Sequence, residues 1–117
     1  MKLEFGRTCL LAAASAALLA APLAHAVDED AAKQLAKQNN CFKCHAIEKE
    51  KDGPSWHKVA EKYKGKPEAE AKLINHITSG EKAKFPDGHE EDHKIVKTDP
   101  PKDMAQIKNL IQFVLSR

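Results

Sequence analysis

Four stretches of this chain repeat their apolar residues at helical spacing. In the first, Ala31, Leu35 and Gln38 recur with Ala32 and Ala36 alongside. Asp28-Glu29-Asp30 opens it, acidic where the helix dipole favours negative charge, and Asn39-Asn40 closes it. A short second helix starts at Pro54 or Ser55, places Trp56, Val59, Ala60 and Tyr63 on one face, and is broken by Lys64-Gly65-Lys66. Pro67 suits the first position of a third helix from Glu68 to about Ser79, ended by Gly80. Ala69, Leu73, Ile77 and Ile74 face inward, with His76 beside that face. The last runs from about Pro101 to Leu115, with Asp99 as cap and a stripe of Met104, Ile107, Leu110, Ile111 and Val114 flanked by Phe113. It is expected to cross the first helix near Leu35. Between Glu81 and Pro101 the periodicity disappears, and a long stretch of that kind inside a compact domain tends to be a functional loop. No strand is required, so the pattern predicts an all-α domain of four or five helices.

Residues 1–26 stand apart from this pattern. Lys2 and Arg7 precede an Ala/Leu run from Cys9 to Leu23, and Ala24-His25-Ala26 is a small-x-small cleavage site. That order is a secretory signal peptide. The run is shorter than the ~20 residues a membrane span needs, and Cys9 lies too early in it for a lipid-anchor cysteine. The expectation is export, cleavage after about Ala26, a mature domain at 27–117 in the periplasm, and no stable membrane insertion once the leader is gone. The full chain carries a net charge of only +2, and the leader takes Lys2, Arg7 and Glu4 with it. A balance this even makes no case for nucleic acid as a partner. A domain this small buries a modest core and commonly needs a staple, a metal or a cofactor.

Cys41-Phe42-Lys43-Cys44-His45 supplies it. Two cysteines three positions apart, followed directly by histidine, form the attachment signature of a c-type haem. Each thiol adds to one vinyl group on the same edge of the porphyrin, and His45 then reaches the iron as proximal ligand. A thioredoxin-like redox pair would want this motif at a helix start inside a βαβ pattern, which is lacking. A zinc site would need a second ligand pair, and no cysteine follows Cys44. Covalent haem outside the cytoplasm agrees with the leader.

With the motif and helix order together, the chain resembles the small bacterial class I cytochromes c. The likeness is densest through Cys41–Ile47, Gly53-Pro54-Ser55-Trp56, Val59–Tyr63 and Glu68–Ala71, and returns at Phe113–Ser116. It implies the small cytochrome c fold around one covalent haem c. It also implies that the Pro54 carbonyl accepts a hydrogen bond from the far nitrogen of His45, which would fix ring orientation and basicity. The departure lies in the loop. The family normally carries a methionine just before the proline or prolines ahead of the last helix. Here Thr98-Asp99 precede Pro100-Pro101, and the only methionine besides the first residue is Met104, on the helix itself.

The sixth iron position is therefore open to His93, His89, Met104 or no residue. His93 is the expected ligand: it precedes apolar Ile95 and Val96, which would seat the loop against the haem, whereas His89 sits among acidic residues. His57 and His76 read as surface or partly buried helical histidines. A one-haem domain with both axial positions filled is an electron carrier rather than an enzyme, working between periplasmic or membrane-bound redox proteins, and imidazole in place of thioether makes it a low-potential one. Lys43, Lys49, Lys51, Lys82 and Lys84 would border the exposed haem edge. The rival is a haem-based ligand binder, sensor or minor peroxidase with a displaceable sixth ligand. A thiol oxidoreductase is excluded once Cys41 and Cys44 are thioether-linked.

Overall fold

A computed structural model describes residues 26–117; the leader read at 1–26 lies outside them but for Ala26. Four helices carry the architecture: α1 (Glu29–Gln38), α2 (Trp56–Tyr63), α3 (Ala69–Ser79) and α4 (Met104–Leu115). A 3-10 turn at Cys41–Lys43 follows α1 directly.

Helix starts follow local chemistry. The Asp28 carboxylate accepts the N–H of Ala31 at 3.0 Å, and the Ser55 hydroxyl accepts that of Lys58 at 3.1 Å. Gly80, left-handed at φ 72°, ends α3. The final helix begins later than its sequence suggested. Pro100 and Pro101 sit in a turn, and Asp103, not Asp99, is the cap, accepting from Ala105 and Gln106 at 3.0 and 3.2 Å. The Gln106 N–H, then the Gln106 side-chain amide and last the Ala105 N–H favour the ionised carboxylate and hold the Asp103 pKa below its usual range.

The core forms where α1 and α4 cross. Ala32, Leu35 and Ala36 of α1 meet Leu110, Phe113 and Val114 of α4, and Trp56 at the head of α2 closes the cluster edge-on to Phe113 at 5.8 Å. Ala36 has no Cβ branch and is fully buried, which lets the helices approach closely. Phe113, read as flanking the stripe, is also fully buried, so the apolar face is wider than a single row. Met104, at the opposite end of α4, is 45% exposed and packs no core. Leu110 is 3% exposed; Leu110→Ala is expected to cost about 2–5 kcal/mol in denaturant unfolding of the haem-loaded protein. A loss below about 0.5 kcal/mol would show that this crossing is not the core.

The expectation of no strands needs correction. Lys82–Lys84 (β1) and Glu90–Asp92 (β2) pair antiparallel, Lys82 facing Asp92 and Lys84 facing Glu90. Opposite charges stand across each of these pairs, and Lys82 Nζ lies 2.6 Å from Asp92. The turn uses Pro86-Asp87 and Gly88 at φ 91°, a left-handed value suited to glycine. The hairpin is small and exposed, and the architecture remains all-α.

Candidate haem site

The motif is placed by the way α1 ends. Asn40 turns left-handed at φ 55°, and the N–H groups of Cys44 and His45 both donate to the Cys41 carbonyl, at 3.2 and 3.0 Å. This tight turn puts Cys41, Cys44 and His45 on the wall of one cavity of about 1310 Å³. Interiors are normally close-packed, with few voids larger than a water. The walls are mainly apolar, from Trp56, Leu73, Ile77, Val96, Leu110, Ile111 and Val114. A large flat apolar group tethered at Cys41 and Cys44 fits that space.

His45 is held from two sides. Its Nδ1–H donates to the Pro54 carbonyl at 2.7 Å. Gly53 lies flat against the ring: a Cβ there would come within 2.5 Å of His45 Cε1. The Gly-Pro pair reads in sequence as a turn; in space the glycine makes room for the imidazole and the proline orients it.

Across the cavity stands His93, just beyond β2, its ring centre 6.3 Å from that of His45. The backbone segment carrying it is pinned at three points. The His93 N–H donates to Glu81 O at 2.9 Å and the Val96 N–H to Ile77 O at 2.8 Å. The Asn39 side chain accepts from Lys97 N at 2.7 Å and donates to Lys97 O at 2.9 Å. Asn39 also bonds Leu35 O and is 6% exposed. The sequence marks it only as a helix stop; its clamp on Lys97 ties the distal segment to α1. Val96 packs inward as expected, but Ile95 is 50% exposed and does not line the cavity.

The other histidines and Met104 separate by position. His89 lies on the exposed hairpin, against the Asp87 carboxylate and 3.2 Å from Glu91, and does not line the cavity. Asp87 first, then Glu91, raises its pKa, which favours the protonated ring, a poor metal ligand. Met104 is likewise absent from the cavity wall. His57 is exposed, 3.4 Å from Glu61. His76, read as a surface or partly buried helical residue, is partly buried on α3 and also lines the cavity, with its ring centre 4.3 Å from that of His93. Burial, and then the nearby His76, push the His93 pKa down, so His93 favours the neutral form that can bind iron. Burial raises the Cys41 thiol, opposite to the depressed pKa of a redox-active cysteine.

A family model described as cytochrome c matches residues 29–117. The chain belongs to the cytochrome c family. Haem c is its covalent cofactor, and Cys41 and Cys44 occupy the attachment motif. Cytochrome c-552 of Hydrogenobacter thermophilus is 42% identical over 48 residues, 41% of this chain and 49% of that protein. Cytochrome c-552 of Nitrosomonas europaea is 42% identical over 67 residues, 57% of this chain and 60% of that protein. The chain thus spans about half to three-fifths of these two relatives. Among solved structures, the class 1 cytochrome MtoD from Sideroxydans lithotrophicus ES-1 is 66% identical, covering 78% of this chain and 97% of that one, with a TM-score of 0.72. The crystal structure of Nitrosomonas europaea cytochrome c552 is 28% identical over 72% of this cytochrome and 96% of its own length, with a TM-score of 0.57.

Proposed function

We propose that this cytochrome is a single-haem electron carrier with the haem held by thioethers from Cys41 and Cys44 and ligated axially by His45 and His93. The observation that carries the reading is the separation of the two rings. A five-membered ring with bonds of about 1.33 Å puts each nitrogen about 1.1 Å from its centre. Two metal–imidazole bonds of about 2 Å in line then place the ring centres about 6.2 Å apart. His45 and His93 stand 6.3 Å apart across the cavity. Each also spends its Nδ1–H on a backbone carbonyl, Pro54 for one and Lys94 for the other, leaving Nε2 free to ligate.

The haem supplies one-electron exchange at iron. The protein's part is to seal both axial positions, exclude water with the apolar walls and keep the same ligands in both oxidation states. Imidazole stabilises ferric iron relative to a thioether, so this reading makes the potential lower than that of the same site with methionine. The pinned segment around His93 supports a carrier over a ligand binder, which needs an easily displaced sixth ligand. Partners are redox proteins in the periplasm or at its membranes. Among the described residues no helix is long and apolar enough to cross a membrane. Of the lysines proposed to border the haem edge, Lys43, Lys82 and Lys84 line the cavity mouth. Lys82 pairs with Asp92, and Lys51 turns to the Phe42 carbonyl at 2.7 Å, so the docking face is of mixed charge.

Periplasmic protein should have the mass of residues 27–117 plus one haem, and a low-spin bis-imidazole spectrum in both oxidation states. A mass equal to the bare polypeptide overturns haem attachment. A methionine–iron charge-transfer band, or a high-spin ferrous spectrum, overturns His93.

A further inference from the structure

The two axial imidazoles are not anchored alike. The hydrogen-bond partner of His45 is Pro54, on a separate loop backed by Gly53. The partner of the His93 ring is the carbonyl of the very next residue, Lys94, at 2.9 Å. A bond that local ties the ring only to its own segment, which the backbone bonds to Glu81, Ile77 and Asn39 hold in place. The ring itself meets a second element at α3. The His76 ring lies 4.3 Å from that of His93, tilted by 46°.

His76 is itself clamped. Its Nδ1–H donates to a Glu81 carboxylate oxygen at 2.7 Å, and Asn75 donates to the other oxygen at 3.2 Å. The main-chain carbonyl of the same Glu81 accepts the His93 N–H at 2.9 Å. Gly80, left-handed at the end of α3, folds Glu81 back over the last turn so that one residue reaches both histidines. We propose that His76, clamped by Glu81, is a positioning residue: its ring packs against His93, sets the plane of that imidazole and slows its departure from the iron.

The proposal rests on His93 being the distal ligand, and its test keeps the two apart. Electron paramagnetic resonance of the oxidised holoprotein reports the ligand type and the mutual angle of the axial rings. The rate of carbon monoxide binding to the reduced holoprotein reports how readily His93 leaves. His76→Ala should stay low-spin with bis-imidazole ligation, shift or broaden its g-values, and bind carbon monoxide faster. An aromatic contact of the usual strength corresponds to between about twofold and about tenfold in rate. His76→Phe, which keeps a ring there, should remain near wild type. Glu81→Ala changes an exposed side chain and neither ring, so it tests the clamp even if His76→Ala folds poorly; it should move both readouts in the same direction. A wild-type protein without bis-imidazole signals takes down the ligand assignment and this proposal with it. Wild-type-like g-values and rates in both His76→Ala and Glu81→Ala, on a bis-imidazole background, overturn the proposal alone. A high-spin His76→Ala beside a low-spin His93→Ala overturns it too, by showing His76 itself to be the ligand.

Discussion

Replacing Cys41 and Cys44 together with serine, and removing haem, is expected to yield a chain that loses most of its helical circular dichroism at room temperature. The argument is one of volume. The core proper is one layer where α1, α4 and Trp56 meet, and much of the remaining apolar wall faces a cavity of about 1310 Å³. Without the haem these apolar walls face water or a void, and the burial they forgo is large against the ~5–15 kcal/mol that holds a whole domain together. Leu73, Ile111 and Val114 would lose their largest neighbour at once. The covalent bonds matter because a tethered group cannot dissociate, so restoring one cysteine should recover haem-dependent folding in part. A cooperative thermal transition with native helicity in the haem-free double variant would falsify the view that the cofactor is part of the core.

The helices and the attachment motif were legible in the sequence for separate physical reasons. α1 to α4 bury one face each, so the 3.6-residue period survives in Leu35, Ala36, Leu73, Leu110 and Val114. The motif is legible because thioether chemistry fixes its spacing. Elements held by other forces were not. The hairpin of Lys82–Lys84 and Glu90–Asp92 buries almost nothing and is held by paired charges and a turn, which leave no apolar period. The start of α4 was misplaced: Asp99 before two prolines reads as a cap, whereas the chain turns through Pro100-Pro101 and caps on Asp103. Met104 has the right phase but lies past the point where α1 can cover it. The parts played by Gly53, Asn39 and His76 are tertiary: each depends on a neighbour far away in the chain or on a loop's return, and a single residue type carries no mark of that.

His93→Ala should abolish the low-spin spectrum of the reduced protein. His93 stands on the cavity wall with its ring centre 6.3 Å from that of His45, and its Nδ1 is turned to the Lys94 carbonyl. The variant should be high-spin when reduced, bind carbon monoxide without the wait for a ligand to leave, and return to low spin when imidazole is added. Chemical rescue of that kind separates loss of a ligand from loss of the fold. His89→Ala and Met104→Leu are the controls, and both should keep the wild-type spectrum, because one residue sits among carboxylates on the hairpin and the other faces solvent on α4. His93→Met tests the electronic half of the reading. A thioether in the same pocket should raise the potential, and axial ligands tune haem over about 0.8 V in all, so a rise on the order of 100 mV is expected. A potential unchanged on that replacement, or a low-spin His93→Ala protein whose spectrum is lost on adding Met104→Leu, would return the distal position to methionine.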